Sequence, residues 1–169
     1  TEHGPRGGDE LNHIEKGNNY GWPIVSTGMD YEHYSLLGYE DVQGKHDGFT
    51  KPIYSWLPSI GVSNLIEINN FDSRWNGDLL VSSLKTMSLY RLRIDKNNII
   101  YSEPLFIGSR IRDLININDK IILWTDSSEI IILSVEKNIL LGNRFSGISS
   151  YKSSIRKCLS CHHLEPKSN

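Results

Sequence analysis

Alanine does not occur anywhere in the 169-residue sequence. With the best helix former missing and isoleucine, serine and asparagine abundant, the composition argues against an all-helical bundle and for pleated, half-buried surfaces. A charge excess is lacking too: the formal net charge is −2, which leaves no basic footprint for nucleic acid or an anionic membrane. No apolar stretch approaches the roughly 20 residues that span a bilayer. No secretory leader opens the chain, since Thr1-Glu2-His3-Gly4 is polar and lacks an initiator Met. The start therefore reads as the middle of something. Hydrophobic residues nonetheless make up 38% of the chain, near the average for a folded domain, which excludes wholesale disorder.

What is present falls into three stretches. Up to about residue 50 the chain is punctuated by Gly4, Gly7, Gly8, Gly17, Gly21, Gly28, Gly38, Gly44 and Gly48, and reads as structured loops around one short strand. From Ile53 short apolar runs alternate with turn residues. Leu79 to Val81, Ser88 to Ile94, Leu114 to Ile117, Ile121 to Thr125 and Ile130 to Val135 have strand lengths. Asp95 to Asn98, Asn118 to Lys120 and Asp126 to Glu129 separate them.

Two of these stretches match. Leu65-Ile66-Glu67-Ile68-Asn69 pairs with Leu114-Ile115-Asn116-Ile117-Asn118, Leu79-Leu80-Val81 with Ile121-Ile122-Leu123, and Leu89 to Asp95 with Ile130 to Glu136. The shorter offset of the later matches places an insertion near Phe71 to Trp75 in the first copy. A period of roughly 40–50 residues with several strands per unit is the signature of a β-propeller, and a few blades alone cannot close a ring. Two unrelated meanders of a β-sandwich are the alternative.

The amino end concentrates carboxylates, amides and glycine in Glu2-His3-Gly4-Pro5-Arg6-Gly7-Gly8-Asp9-Glu10-Leu11-Asn12. Such a loop suits a hard cation that takes backbone and carboxylate oxygens, but on composition alone it is equally a polar surface loop. Taken with Gly17-Asn18-Asn19-Tyr20-Gly21-Trp22-Pro23, it resembles the soluble quinoprotein glucose/sorbosone (aldose sugar) dehydrogenase family. Further matches follow in order: Trp56-Leu57-Pro58-Ser59-Ile60-Gly61, Gly77-Asp78-Leu79-Leu80-Val81-Ser82-Ser83-Leu84-Lys85, Arg110-Ile111-Arg112-Asp113 and Leu123-Trp124-Thr125-Asp126.

The resemblance implies an all-β fold in which residues 1–137 form the carboxy-terminal blades of a six-bladed propeller. It also implies a pyrroloquinoline quinone (PQQ) site with calcium. The Gly4 and Pro5 carbonyls would face the calcium, with His3 beside the cofactor and Trp56 near its pocket. Lys85, Arg110 and Arg112 would meet the anionic groups of the quinone, the two arginines acting electrostatically in catalysis. A structural calcium is expected at the Glu10 carboxylate and the Tyr20 carbonyl. The alternate spacing of Arg110 and Arg112 puts both side chains on one face of an extended segment. Solvated surface charge is the plain alternative for Lys85 and both arginines.

In this family the general-base histidine and an Arg-Asn pair lie upstream of the Glu-His-Gly-Pro loop. They are expected outside this chain, which alone is not expected to oxidise sugar. His13, His33 and His46 match no motif and read as surface or loop residues.

Residues 138–169 form a linker and a tail that can be helical, ending in Lys157-Cys158-Leu159-Ser160-Cys161-His162-His163. Cys-x-x-Cys-His is a c-type haem attachment site, with Cys158 and Cys161 as thioether anchors and His162 as the iron ligand. A redox disulfide is the alternative. Zinc lacks a second cysteine pair. The segment resembles the opening of a cytochrome c domain, and too little chain follows His162 for a full cytochrome fold.

The sequence thus reads as part of an aldose-oxidising enzyme carrying PQQ, Ca2+ and haem c. Its electrons would go to a cytochrome or the quinone pool, in the periplasm or outside the cell. No nucleic-acid partner is expected, and a homodimer is compatible with the reading. A non-catalytic propeller that binds carbohydrate or protein is the rival from another class.

Overall fold

A computed structural model of the chain describes residues 1–32 and 45–135. Among these the regular structure is entirely strand: β1 (Asp9–Leu11), β2 (Tyr54–Trp56), β3 (Val62–Glu67), β4 (Leu79–Ser83), β5 (Ser88–Asp95), β6 (Asn98–Phe106), β7 (Ile111–Ile117), β8 (Lys120–Thr125) and β9 (Ile130–Ser134). They pair antiparallel into a two-stranded sheet β1-β2, a four-stranded meander β3-β4-β5-β6 and a three-stranded meander β7-β8-β9. A four-stranded antiparallel meander is the layout of a propeller blade. None of the described residues belongs to a helix long and apolar enough to cross a membrane.

The matched repeats occupy matched places. Leu65 and Leu114 lie in the first strands of their meanders, Leu79 and Ile121 in or beside the second, and Leu89 and Ile130 in the third. The inserted stretch is the Ile68–Asp78 connection, where Phe71 and Trp75 fold back into the core, their ring centroids 5.4 Å apart. The second meander closes the same gap with the tight Asn118-Asp119 turn, Ile117 pairing directly with Lys120. The β5–β6 hairpin turns at Lys96 and Asn97, both with positive φ, as a two-residue turn of matching twist requires.

Alternation along the strands divides the core in two. Leu80 and Leu89, both fully buried, point to one side and pack with Ile111, Leu114, Ile121, Leu123 and Ile131 of the other meander. Val81 and Leu92 point to the opposite side and pack with Leu11 and Trp56 of the β1-β2 sheet. The four-stranded sheet is therefore the middle layer, covered on both faces. Each fully buried Leu or Val contributes about 1.5–3 kcal/mol relative to exposure, so these two clusters hold the layers together. The far side of the β7-β8-β9 sheet carries exposed Ile115, Trp124, Ile130 and Ile132.

Strand β6 escapes the sequence pattern. It contains Ser102, Glu103 and Pro104 and is largely exposed, and it forms the edge of its sheet, where a proline costs no interior ladder bond.

A register slip marks the start of both first strands, between Val62 and Leu65 in β3 and between Ile111 and Asp113 in β7. Such bulges re-aim side chains next to a strand end. Val62 faces Ser83 at the end of β4, and Ile111 faces Thr125 at the end of β8, so the two slips lie at the same end of their sheets.

Candidate functional site

That end of the sheets gathers the loops in which the sequence places its site. The amino-terminal turn is tied there by Asp9, which is fully buried. Gly4 N donates to Asp9 Oδ1 at 3.0 Å, while Gly61 N and Val62 N donate to Oδ2 at 2.6 and 3.1 Å. Burial pushes the Asp9 pKa up, but the hydrogen bonds from Gly4, Val62, Ser59 and Gly61 outweigh it, and the carboxyl is held below its ordinary value. The turn has no room for a side chain: a Cβ on Gly4 would lie 2.2 Å from the Gly8 carbonyl oxygen. His3 Nδ1 sits 3.4 Å from Asp9 Oδ1 with most of its ring in solvent. Ser59 Oγ donates to the Pro5 carbonyl at a long 3.4 Å.

The same strand start reaches the other candidate cations. Lys85 N donates to Ile60 O at 2.9 Å and Leu84 N to Gly61 O at 2.7 Å, which seats the exposed Lys85 on the Gly61 turn. Gly61 takes a φ of +70°, a conformation that favours glycine. One residue into β3, Ser63 Oγ donates to Ile111 O at 2.6 Å, between Arg110 and Arg112. A chain of hydrogen bonds therefore joins the Gly4-Pro5 turn, the Lys85 loop and the arginine segment.

Arg110 and Arg112 extend to the same side, as their spacing predicts. Both meet Asp126: Arg110 Nε donates to Oδ2 at 2.7 Å, and Arg112 donates from Nε to Oδ1 and from Nη2 to Oδ2, the latter at 3.2 Å. The backbone closes the arrangement, with Asp126 N donating to Arg110 O at 2.9 Å. Arg112 and then Arg110 hold the Asp126 carboxyl below its ordinary pKa. The intervening Ile111 turns inward and is fully buried.

Trp56 lies in the core. Its ring packs edge-on to Tyr54 and Tyr90, at centroid distances of 5.0 and 6.1 Å, and its Nε1 has no hydrogen-bond partner among the described residues. Its carbonyl accepts from Gly8 N at 3.1 Å, so it backs the glycine loop through the main chain.

Glu10 is buried and stands on the other side of β1 from Asp9. Thr27 Oγ1 donates to its Oε1 at 3.2 Å, and His46 Nε2 lies 3.6 Å from the same oxygen. Burial is the largest influence on Glu10 and raises its pKa, with Glu2 adding to the rise and His46 opposing it. His46 lies in a loop, as expected, but is only 5% exposed and so not at the surface: burial against Glu10 decides its place, and no local motif announces it. A cleft of about 450 Å³ opens beside this pair, lined by Thr27, Lys45, His46, Asp47, Lys51 and Pro52. Tyr20 donates its hydroxyl to His13 O at 2.6 Å and accepts from Glu15 N at 2.8 Å, folding that loop on itself.

No three His, Cys, Asp or Glu side chains converge as a metal site among the described residues. A hard cation would draw its oxygens from backbone carbonyls and single carboxylates, which the Gly4-Pro5 turn and the buried Glu10 can offer. Lys85, Arg110 and Arg112 against the one carboxylate of Asp126 leave an excess of positive charge suited to a polycarboxylate. The donor chemistry therefore fits both an anionic quinone and calcium. Asp9 and Asp126 are the residues that sequence reasoning passed over. Both stood in the quoted motifs, but nothing in their spacing shows that Asp9 takes backbone amides and Asp126 two guanidinium groups. Cys158, Cys161 and His162, with the whole of 138–169, lie outside the described residues, as does His33.

Comparison with known proteins gives the family of the chain. The family model described as Glucose / Sorbosone dehydrogenase matches residues 1–133. An uncharacterized protein of Synechocystis sp. is 39% identical over 116 residues, covering 68% of this chain and 27% of its own length. The aldose sugar dehydrogenase YliI of Escherichia coli (strain K12) is 31% identical over 120 residues, covering 68% of this chain and 31% of its own. Among solved structures, a glucose dehydrogenase superposes with a TM-score of 0.68 at 29% identity, over 81% of this chain and 40% of that one. The soluble aldose sugar dehydrogenase of Escherichia coli in its apo-form gives 0.65 at 28% identity, over 78% and 38%. The chain thus spans about a third of the curated relatives it matches. With a family match over nearly all the described residues and neighbours of the same kind in structure, the chain belongs to the glucose/sorbosone dehydrogenase family.

Proposed function

We propose that this chain is part of a quinoprotein dehydrogenase that oxidises an aldose at C1 to the lactone, and that its sheets are carboxy-terminal blades of a six-bladed propeller. The observation that carries the reading is the hydrogen-bonded continuity from the Gly4-Pro5 turn through Gly61 and Lys85 to Arg110 and Arg112 at one end of the sheets. The Gly4 and Pro5 carbonyls would hold calcium. His3 would lie beside the quinone, with Trp56 behind it, and Lys85, Arg110 and Arg112 would take its carboxylates and ring oxygens.

When bound, PQQ with calcium supplies the hydride acceptor and the Lewis acid that sugar oxidation needs. The chain's own contribution is electrostatic. Fixed guanidinium and ammonium groups make charge-assisted bonds roughly twice as strong as neutral ones, and they stabilise negative charge as it develops. The sugar hydroxyl proton would go to a histidine that the family carries before the Gly4-Pro5 turn. Glu10 with the Tyr20 carbonyl would hold a structural calcium. Cys158 and Cys161 would hold a haem with His162 on its iron, a group that supplies one-electron transfer, in the periplasm or outside the cell.

The test is binding of PQQ in the presence of calcium by the full-length protein that carries this chain, read by tryptophan fluorescence. Saturable binding that weakens at least about ten-fold, some 1.4 kcal/mol, in Arg110→Ala and in Arg112→Ala is expected. Absence of saturable binding, or indifference to both substitutions, overturns the reading.

A further inference from the structure

Arg110 and Arg112 do not stand alone at the sheet end. A single carboxylate accepts from both: Asp126 Oδ2 from Arg110 Nε at 2.7 Å, and both oxygens of Asp126 from Arg112. The main chain fixes the carboxylate's own position, with Asp126 N on Arg110 O at 2.9 Å and Ser128 N on Thr125 O at 3.3 Å closing the turn after β8. The arginine side chains are 49% and 53% exposed, a degree at which long side chains ordinarily sample many rotamers. Here the Nε positions are occupied from behind. The contacts leave both Nη groups of Arg110 and Nη1 of Arg112 without a partner among the described residues.

We propose that Asp126 is a positioning residue that holds Arg110 and Arg112 as a pre-assembled pair, with the free guanidinium edges presented to a planar polycarboxylate. The proposal rests on the cofactor reading above. Pre-ordering removes the rotamer entropy that two flexible arginines would otherwise lose on binding. The carboxylate also opposes an anionic ligand by direct repulsion. The two effects have opposite signs, and that makes the role measurable.

The experiment uses the full-length protein that carries this chain and its Asp126→Asn variant, with PQQ and calcium as probe. Positioning predicts that Asp126→Asn binds PQQ about ten-fold more weakly, although the variant is more positive by one charge. Charge alone predicts tighter binding, as does a purely structural surface role that leaves the arginines in place. A second readout needs no cofactor: in ¹⁵N spectra, the Nε–H resonances of Arg110 and Arg112 are protected from exchange in the wild type and lose protection in Asp126→Asn. Wild-type binding with equal or tighter binding by Asp126→Asn overturns the positioning role alone. Unprotected Nε–H resonances in the wild type also overturn it. A wild-type protein that binds no PQQ overturns the cofactor reading and the proposal together, and the exchange measurement then shows whether the clamp exists without that ligand.

Discussion

Asp9 and Gly61, 52 positions apart, are joined by a 2.6 Å hydrogen bond from the Gly61 amide to a fully buried carboxylate. The other oxygen of that carboxylate receives the Gly4 amide, so one side chain fastens the amino-terminal turn to the start of β3. Asp9→Ala leaves the Gly4, Gly61 and Val62 amides without their acceptor. Hydrogen bonds to a charged group contribute about 1.5–3 kcal/mol, so a loss of roughly 2–4 kcal/mol in urea unfolding is expected. Asp9→Asn, which keeps one acceptor, loses less. Equal stability of wild type and Asp9→Ala would remove Asp9 from this role.

The arginine clamp has a pH limit whose direction follows from its partners. The folded Asp126 pKa is depressed by Arg112 and Arg110 from an ordinary 3.8. A depressed carboxyl contributes its stabilisation above the unfolded value and loses it as pH falls through the folded value. The Arg110 and Arg112 Nε–H resonances should therefore stay protected at pH 4 and lose protection only in stronger acid. Loss between pH 5 and 6 would contradict the pairing.

Calcium should stabilise the chain. Burial raises the Glu10 pKa, so a cation bound beside it would offset part of the cost of burying its charge. Calcium at a hundred times its dissociation constant would add about 2.7 kcal/mol, visible as a rise in melting temperature. Glu10→Gln should lose the part of the shift due to its site. A shift identical in wild type and Glu10→Gln would remove Glu10 from the ligand set.

Haem attachment at the carboxy-terminal motif predicts a c-type absorption band when the protein matures in an oxidising compartment with haem-attachment machinery. Cys158→Ala should abolish covalent attachment through that cysteine and shift or eliminate the band. Denaturation that releases all haem from the wild type would show that no thioether forms.

Much of the layout was legible beforehand because strand periodicity and turn chemistry are local. The Leu114–Ile117 and Ile121–Thr125 runs, and the Asp95–Asn98 turn, coincide with β7, β8 and the β5–β6 hairpin. The repeat could be read for the same reason, down to the insertion holding Phe71 and Trp75. Strand β6 could not, because an exposed edge bearing Pro104 has no apolar alternation to report. In the site, residue identities could be read and pairings could not. His46 meets Glu10, and Asp126 meets two arginines, only because the fold brings distant segments together. Trp56 shows the converse: a motif residue whose ring is committed to packing between Tyr54 and Tyr90.

The register slip that opens both β3 and β7 has a consequence for how such a domain can be altered. The irregularity is shared, yet the arginines flank Ile111, whereas Gly61 and Ser63 flank Val62. A rim position cannot simply be exchanged between repeats: Gly61, at a φ of +70° with the Lys85 amide 3.0 Å from where a Cβ would lie, and Ser63, bonded to Ile111 O, tie the first meander to its neighbours where the second carries guanidinium groups.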